Sequence, residues 1–313
     1  MFKISRRLLA VLACAALPLG LTACGPSAAT EQGGARNPDE LVFASIPSED
    51  STSLEQEFRP LIDMLAKETG KKIRVEKATD YAAVIEGQHT GKIDIAMYGP
   101  LSYVVAKNSG VRISPLGAQV ETKGGAPGYR SYGVVKADSP IQRIEDFRGK
   151  QVCFVDPNST SGYLYPKAAL QKAGIDVEHD VKPVLAGGHD ASALGVASGQ
   201  CDAGFAYDTM VDKLLPEKGG IKPGDLRVVW RSELIPGSPA AISDDLDPAL
   251  KAKVVEAFKT KANADYFKAN GFCTADDCEV GGYWGFVPAD DATFNSVRDV
   301  CGVTRDKQCT DAG

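Results

Sequence analysis

With 313 residues, 43% of them hydrophobic, the chain can bury a full core as one large or two medium domains. Its formal net charge of -6 without a basic stripe argues against a nucleic-acid partner. No apolar run reaches the roughly 18 residues that a membrane-spanning helix needs.

Reading in chain order, Lys3, Arg6 and Arg7 precede an apolar run from Leu8 to Leu21, the pattern of an export signal over residues 1–23. The run ends in Leu21-Thr22-Ala23-Cys24-Gly25, which looks like a lipobox and makes Cys24 the expected lipidated first residue of the mature chain. Ser5-Arg6-Arg7-Leu8-Leu9 also has a twin-arginine look, which bears only on the export route. Losing residues 1–23 leaves 290, and losing their three cations takes the net charge from -6 to -9. The small, polar stretch Gly25 to Pro38 reads as a flexible tether, so residues 24–39 are set apart from the folded body.

From Leu41 onward, β-branched runs alternate with helical patterns, the signature of βαβ units and a largely parallel sheet. Leu41 to Ile46 is the first strand. Ser51 or Ser53 can cap a helix whose Leu54, Phe58, Leu61, Ile62 and Leu65 share a face, with Gly70 as its stop. Lys72 to Glu76 and Ile93 to Met97 are strands around a helix opened by Asp80, and Tyr98-Gly99-Pro100 is followed by another helix to about Asn108. Pro115 to Gly128, with two glycine-rich turns, reads as a crossing segment. Strands follow at Tyr132 to Lys136, Gln151 to Val155, Lys182 to Leu185 and Ala203 to Ala206, each with a helix after it, and Leu226 to Trp230 ends the series. Leu234 to Ile242 crosses back, and Asp247-Pro248 starts a helix. Two crossings imply two lobes, residues 40–125 with 236–313 and residues 126–235.

Six cysteines remain beyond Cys14 and Cys24. In an exported chain an even set suggests disulfides, and spacing favours Cys273 with Cys278 and Cys301 with Cys309, leaving Cys153 for Cys201 across neighbouring strands. A zinc site is the rival, disfavoured because no C-x-x-C occurs and no histidine lies near the last four.

The stretch Asp156-Pro-Asn-Ser-Thr-Ser-Gly-Tyr-Leu-Tyr-Pro166 joins a strand's carboxyl end to a helix's amino end. Unpaired N–H groups and a partial positive charge gather at such a terminus, and Ser159, Thr160 and Ser161 add hydroxyl donors suited to an anion. The hydroxyls could otherwise serve only as caps. The loop lacks the spacing and lysine of a P-loop. At the same sheet edge stand His189, after Gly187-Gly188, and Asp208, after Tyr207. A carboxylate beside an anion repels it unless the ligand brings a proton to share, as a phosphorus oxyacid can and sulfate cannot, so Asp208 is expected as the acceptor. Its alternative is an N-cap for a helix at Thr209.

Thr79 to Val104, Pro127 to Ile141, Asp156 to Pro166, Gly187 to Asp208 and Ser232 to Ile242 resemble, in order and spacing, the phosphate, phosphite and phosphonate solute-binding proteins of ABC importers. The resemblance implies the α/β, type II periplasmic-binding-protein fold. Two lobes, each with a central mostly parallel sheet flanked by helices, would close like a clamshell over a phosphorus oxyanion and deliver it to a membrane permease. It places Tyr81 and Tyr98 on the first lobe and Tyr129 near a crossing. Ser159, Thr160 and Ser161 would surround the oxyanion, with His189 as donor and Asp208 as acceptor. It implies a monomeric, lipid-anchored protein on the extracytoplasmic face that needs no cofactor and no metal. Cys273 to Gly313 fits the family pattern poorly. A sulfonate or a vitamin precursor is the alternative cargo. An exported hydrolase is a distant one, since no G-x-S-x-G, H-E-x-x-H or S-x-x-K occurs and the only histidines are His89, His179 and His189.

Overall fold

The computed structural model describes residues 35–49, 54–273 and 278–310. The export signal, Cys24, most of the tether, and Ser51 and Ser53 lie outside these residues. Arg36, assigned to the tether by composition, belongs instead to the folded body. Its guanidinium forks between Asp94 and Asp245 at 2.8 and 2.7 Å, and its N–H donates to the Asp245 carbonyl.

The chain begins with β1 (Glu40–Ser45), α1 (Leu54–Thr69), β2 (Lys72–Lys77), α2 (Tyr81–His89), β3 (Ile95–Met97), α3 (Pro100–Asn108) and β4 (Ile113–Val120). It continues through β5 (Gly128–Tyr129), β6 (Ser131–Lys136), β7 (Gln151–Phe154), α4 (Tyr165–Lys172), β8 (Lys182–Leu185), α5 (His189–Ala197), β9 (Ala203–Tyr207), α6 (Leu215–Glu217) and β10 (Leu226–Arg231). It closes with β11 (Ile235–Pro236), β12 (Pro239–Ser243), α7 (Pro248–Thr260), α8 (Ala264–Ala269), β13 (Gly285–Val287), α9 (Asn295–Thr304) and α10 (Lys307–Thr310).

Two sheets organise these elements, ordered β13-β4-β12-β3-β1-β2 and β10-β6-β9-β7-β8. Their parallel cores are β2-β1-β3 and β9-β7-β8, as the βαβ alternation requires, and the remaining strands add antiparallel. Helix α1 lies over the first sheet because Phe58, Leu61, Ile62 and Leu65 form one buried stripe, which meets Leu41 and Phe43 of β1. Phe147, Phe154 and Phe205 fill the second core.

The crossings are shorter than the turn residues imply. Ile113–Val120 is a strand between β12 and β13, and Pro239–Ser243 is its antiparallel partner, so among the described residues the short joins around β5 and β11 are what pass between the sheets. Pro115 is accommodated where the β4–β12 register shifts, a bulge that needs no N–H from it. Burial of Leu116, Ala118 and Val120 outweighs the local turn signal. After β6 a 3-10 turn, Ile144–Phe147, stands where a full helix was expected.

The cysteines pair as spacing favoured: Cys153–Cys201, Cys273–Cys278 and Cys301–Cys309. The thiolates a zinc site would require are therefore consumed.

Candidate functional site

A cavity of about 60 Å³ lies beyond the carboxyl ends of β1, β3, β7 and β9. It brings together Tyr81, Tyr98, Tyr129, Ser159, Thr160, Ser161 and His189. All seven are buried, with 1 to 7% of their surface exposed.

The hydroxyl loop is built by local chemistry. Ser159, in an extended conformation, caps the helix by accepting from Gly162 N–H at 3.1 Å. The first turn, Thr160–Leu164, is wound wide in the π manner before α4 proper begins at Tyr165. The helix thus starts two residues earlier than the glycine at 162 suggested. A second wide turn, Met210–Leu214, follows β9, and such turns often mark functional sites. Thr160 Oγ1 accepts from Leu101 N–H at 2.8 Å, joining the loop to the first turn of α3 on the other sheet. Ser161 is held through its carbonyl, which accepts from Ser131 Oγ at 2.6 Å.

Tyr81 opens α2 behind the N-cap Asp80. Burial raises the pKa of its phenol and that of Tyr129, so both stay protonated donors; hydrogen bonds from Ser159 to Tyr81, and from Ser161 and Thr160 to Tyr129, oppose that shift only in part. The Tyr98 hydroxyl is fully buried and has no hydrogen-bond partner among the described residues. An orphaned donor bordering a polar cavity is what a ligand oxygen would satisfy.

His189 is oriented by two backbone contacts. Its N–H donates to the Ser48 carbonyl at 2.8 Å, and its ring Nδ1 accepts from Tyr207 N–H at 3.3 Å. The proton of the neutral ring therefore sits on Nε2, 3.3 Å from Ser159 Oγ on the cavity wall. Burial lowers the ring's pKa to about 3. The folded state refuses a proton that the unfolded chain accepts near pH 6.5, so this contribution to stability is complete above that pH and is lost as pH falls toward 3. Lowering the pH from 7 to 5 is expected to cost about 2 kcal/mol from this residue. Urea midpoints at the two pH values test this, and an equal drop in His189→Gln would remove the assignment.

Asp208 does not border the cavity. Strand β9 continues to Tyr207, one residue beyond the expected end, and the Asp208 N–H still pairs with the Arg130 carbonyl at 2.9 Å. Successive strand residues face opposite ways, so Tyr207 takes the cavity side and Asp208 turns from it. Its carboxylate accepts from Arg130 N–H at 2.8 Å and Thr209 N–H at 3.0 Å. Burial raises its pKa while those two bonds lower it. The geometry is that of a backbone cap. Arg130 reaches the Ser232 carbonyl, away from the cavity.

Tyr207, Tyr283, Gln119 and Glu57 line the cavity without having been expected there. Tyr207 was within one residue of recognition. The others arrive by long-range packing that leaves no local sequence signal.

The chain matches the family described as ABC transporter, phosphonate, periplasmic substrate-binding protein over residues 43–294. It is 45% identical over 311 residues to the phosphate-import protein PhnD of Mycolicibacterium smegmatis, covering 95% of this chain and 96% of that protein. It is 34% identical over 244 residues to the phosphonates-binding periplasmic protein of Escherichia coli, covering 76% and 69%. The crystal structure of a binding-protein component of an ABC phosphonate transporter from Pseudomonas aeruginosa superposes with a TM-score of 0.74 at 28% identity, covering 85% of this chain and 86% of that one. Sequence, fold and a polar cavity at the strand ends agree: the chain belongs to the phosphonate family of periplasmic substrate-binding proteins of ABC transporters.

Proposed function

We propose that this protein captures a small phosphorus oxyanion and delivers it to the permease of an ABC importer. The observation that carries the reading is the cavity, lined by hydroxyl and imidazole donors and, among the described residues, by no lysine or arginine. Each hydrogen bond to a charged oxygen contributes about 1.5–3 kcal/mol, so several neutral donors suffice for micromolar binding or better after association costs. A single water needs roughly 10–15 Å³, so the cavity of about 60 Å³ suits phosphate, phosphite or methylphosphonate better than a long-chain phosphonate. The Mycolicibacterium relative, named for phosphate import, points the same way.

In this reading residues 40–125 with 236–313 form one lobe, residues 126–235 the other, and the joins around β5 and β11 act as the hinge. Closure is held by Leu101 N–H to Thr160, His189 N–H to the Ser48 carbonyl, and the Lys218–Glu49 ion pair. Cys24 would carry a lipid anchor that keeps a monomeric receptor on the extracytoplasmic face. The function is binding, with no chemical turnover and no cofactor.

Calorimetry with phosphate, phosphite, methylphosphonate and sulfate tests the proposal, with heat expected from at least one of the first three. Thr160→Ala and Ser161→Ala are each expected to weaken that binding tenfold or more with the fold intact. Absence of heat from all three phosphorus ligands, or unchanged titrations in both variants, would overturn it.

A further inference from the structure

The C-terminal segment takes no part in lining the cavity, yet it touches elements of both sheets. Among the described residues, none beyond Tyr283 borders the cavity. Helix α9 packs on α3 of the first sheet, on α4 and the wide turn Thr160–Leu164 of the second, and on β11, one of the two joins. On the α3 side, the fully buried rings of Tyr103 and Phe294 have centroids 4.7 Å apart, and the Tyr103 hydroxyl donates to Asp291 at 2.9 Å. On the α4 side, Lys167 pairs with the buried Asp306 at 2.6 Å. Val297 and Cys301 share one core cluster with Val104 of α3, Leu164 of the wide turn and Ile235 of β11. The Cys301–Cys309 disulfide ties α9 to α10, which also packs on α3, and Asp306 lies within the loop it closes.

Helices α3 and α4 both start at the site. Leu101 N–H, in the first turn of α3, donates to Thr160 Oγ1 in the wide turn that leads into α4. Opening the cleft has to part these two turns. The segment from Asp291 to Thr310 packs on both helices at once, so it must lose its grip on one of them for the cleft to open fully. The grip is firm on each, through a buried aromatic pair on one and a buried ion pair on the other. Close-packed contacts of this kind give way in discrete steps rather than continuously. We propose that α9 and α10, made one piece by Cys301–Cys309, form a latch beside the hinge that biases the ligand-free protein toward the closed arrangement and slows release of the bound oxyanion. The inference rests on the reading that the lobes close over a phosphorus oxyanion. When the binding-competent state is only partly populated, the apparent Kd rises by the inverse of its fraction, so a device that never touches the ligand still sets its affinity.

Two variants loosen the latch from opposite sides. Tyr103→Phe keeps the ring contact with Phe294 and removes only the bond to Asp291. Cys301→Ala with Cys309→Ala releases the loop that carries Asp306. Each is compared with the parent, as the full chain, by small-angle X-ray scattering without ligand. Stopped-flow dissociation and calorimetry follow with phosphate, phosphite or methylphosphonate, whichever the parent binds. Expected in both variants are a larger ligand-free radius of gyration, a dissociation rate raised about three- to tenfold, and a Kd raised in proportion. Melting curves separate the latch from a purely structural role, which would lower the melting temperature and leave radius and dissociation rate alone. A ligand-free radius equal to the parent's in both variants, or a dissociation rate within twofold of the parent's in both, overturns the latch while the oxyanion reading stands. If the parent binds none of the three ligands, that reading falls and the inference falls with it.

Discussion

Replacing Gly162 with alanine is expected to weaken oxyanion binding at least a hundredfold. Gly162 sits directly after the three hydroxyl residues, and a Cβ built on it would lie 2.3 Å from Val155 Cγ2, 2.5 Å from Val155 Cβ and 2.8 Å from Ser159 Oγ. Val155 cannot yield easily. It is β-branched and fully buried, and its N–H is tied to the Gly162 carbonyl at 3.2 Å. The loop must then move by about 1 Å, since carbon pairs need roughly 3.5 Å. That shift breaks the cap from Gly162 N–H to Ser159 and turns the neighbouring hydroxyls away from the cavity. Losing two bonds of about 1.5–3 kcal/mol each amounts to a hundredfold or more. Overpacking also costs stability, about 1–3 kcal/mol, which a folded periplasmic domain tolerates. Adding Val155→Gly removes both clashing carbons, so the double variant is expected to bind more tightly than Gly162→Ala alone. Calorimetry on the two variants decides it. Binding by Gly162→Ala within threefold of the parent would show that the loop does not position the ligand.

The contrast between Thr160 and Asp208 marks what the sequence could reveal. Thr160 and its neighbours were legible because helix starts are governed by local chemistry: an extended Ser159, exposed N–H groups, and hydroxyls within three residues of the cap. Asp208 misled because facing direction depends on the pleat, and one further residue of strand reverses it. Strand β4 was hidden for a different reason. Pro115, Gly117 and the nearby glycines carry turn propensity, but pairing with β12 and β13 is settled by partners more than 100 residues away. Glu57 gave no signal, since a glutamate on the first turn of an amphipathic helix ordinarily faces water. The pairings Cys273–Cys278 and Cys301–Cys309 were legible because short spacing leaves few closures, whereas the docking of the C-terminal segment was not.

That segment leads to the second large expected effect: Lys167→Met should destabilise the protein by about 3–5 kcal/mol. Lys167, on α4, holds Asp306 at 2.6 Å, and their side chains are 14% and 2% exposed. Asp306 lies between α9 and α10 within the loop closed by Cys301–Cys309, and its second oxygen accepts from Gln308 N–H at 2.9 Å. The same segment reaches the first sheet's helices, where Tyr103 on α3 donates to Asp291 at 2.9 Å. Lys167 therefore ties a segment that also packs on α3 to the helix whose first turn carries the hydroxyl loop. Without the ammonium group, the buried carboxylate loses the ion pair that Lys167 supplies, and desolvation dominates. Removing both charges in Lys167→Met with Asp306→Leu eliminates that penalty, so the double variant should regain most of the loss. For a chain of this size the single variant should melt roughly 10 °C lower. A parent-like melting temperature in Lys167→Met would mean that water reaches Asp306 and that the C-terminal segment is held by its apolar contacts and disulfide alone.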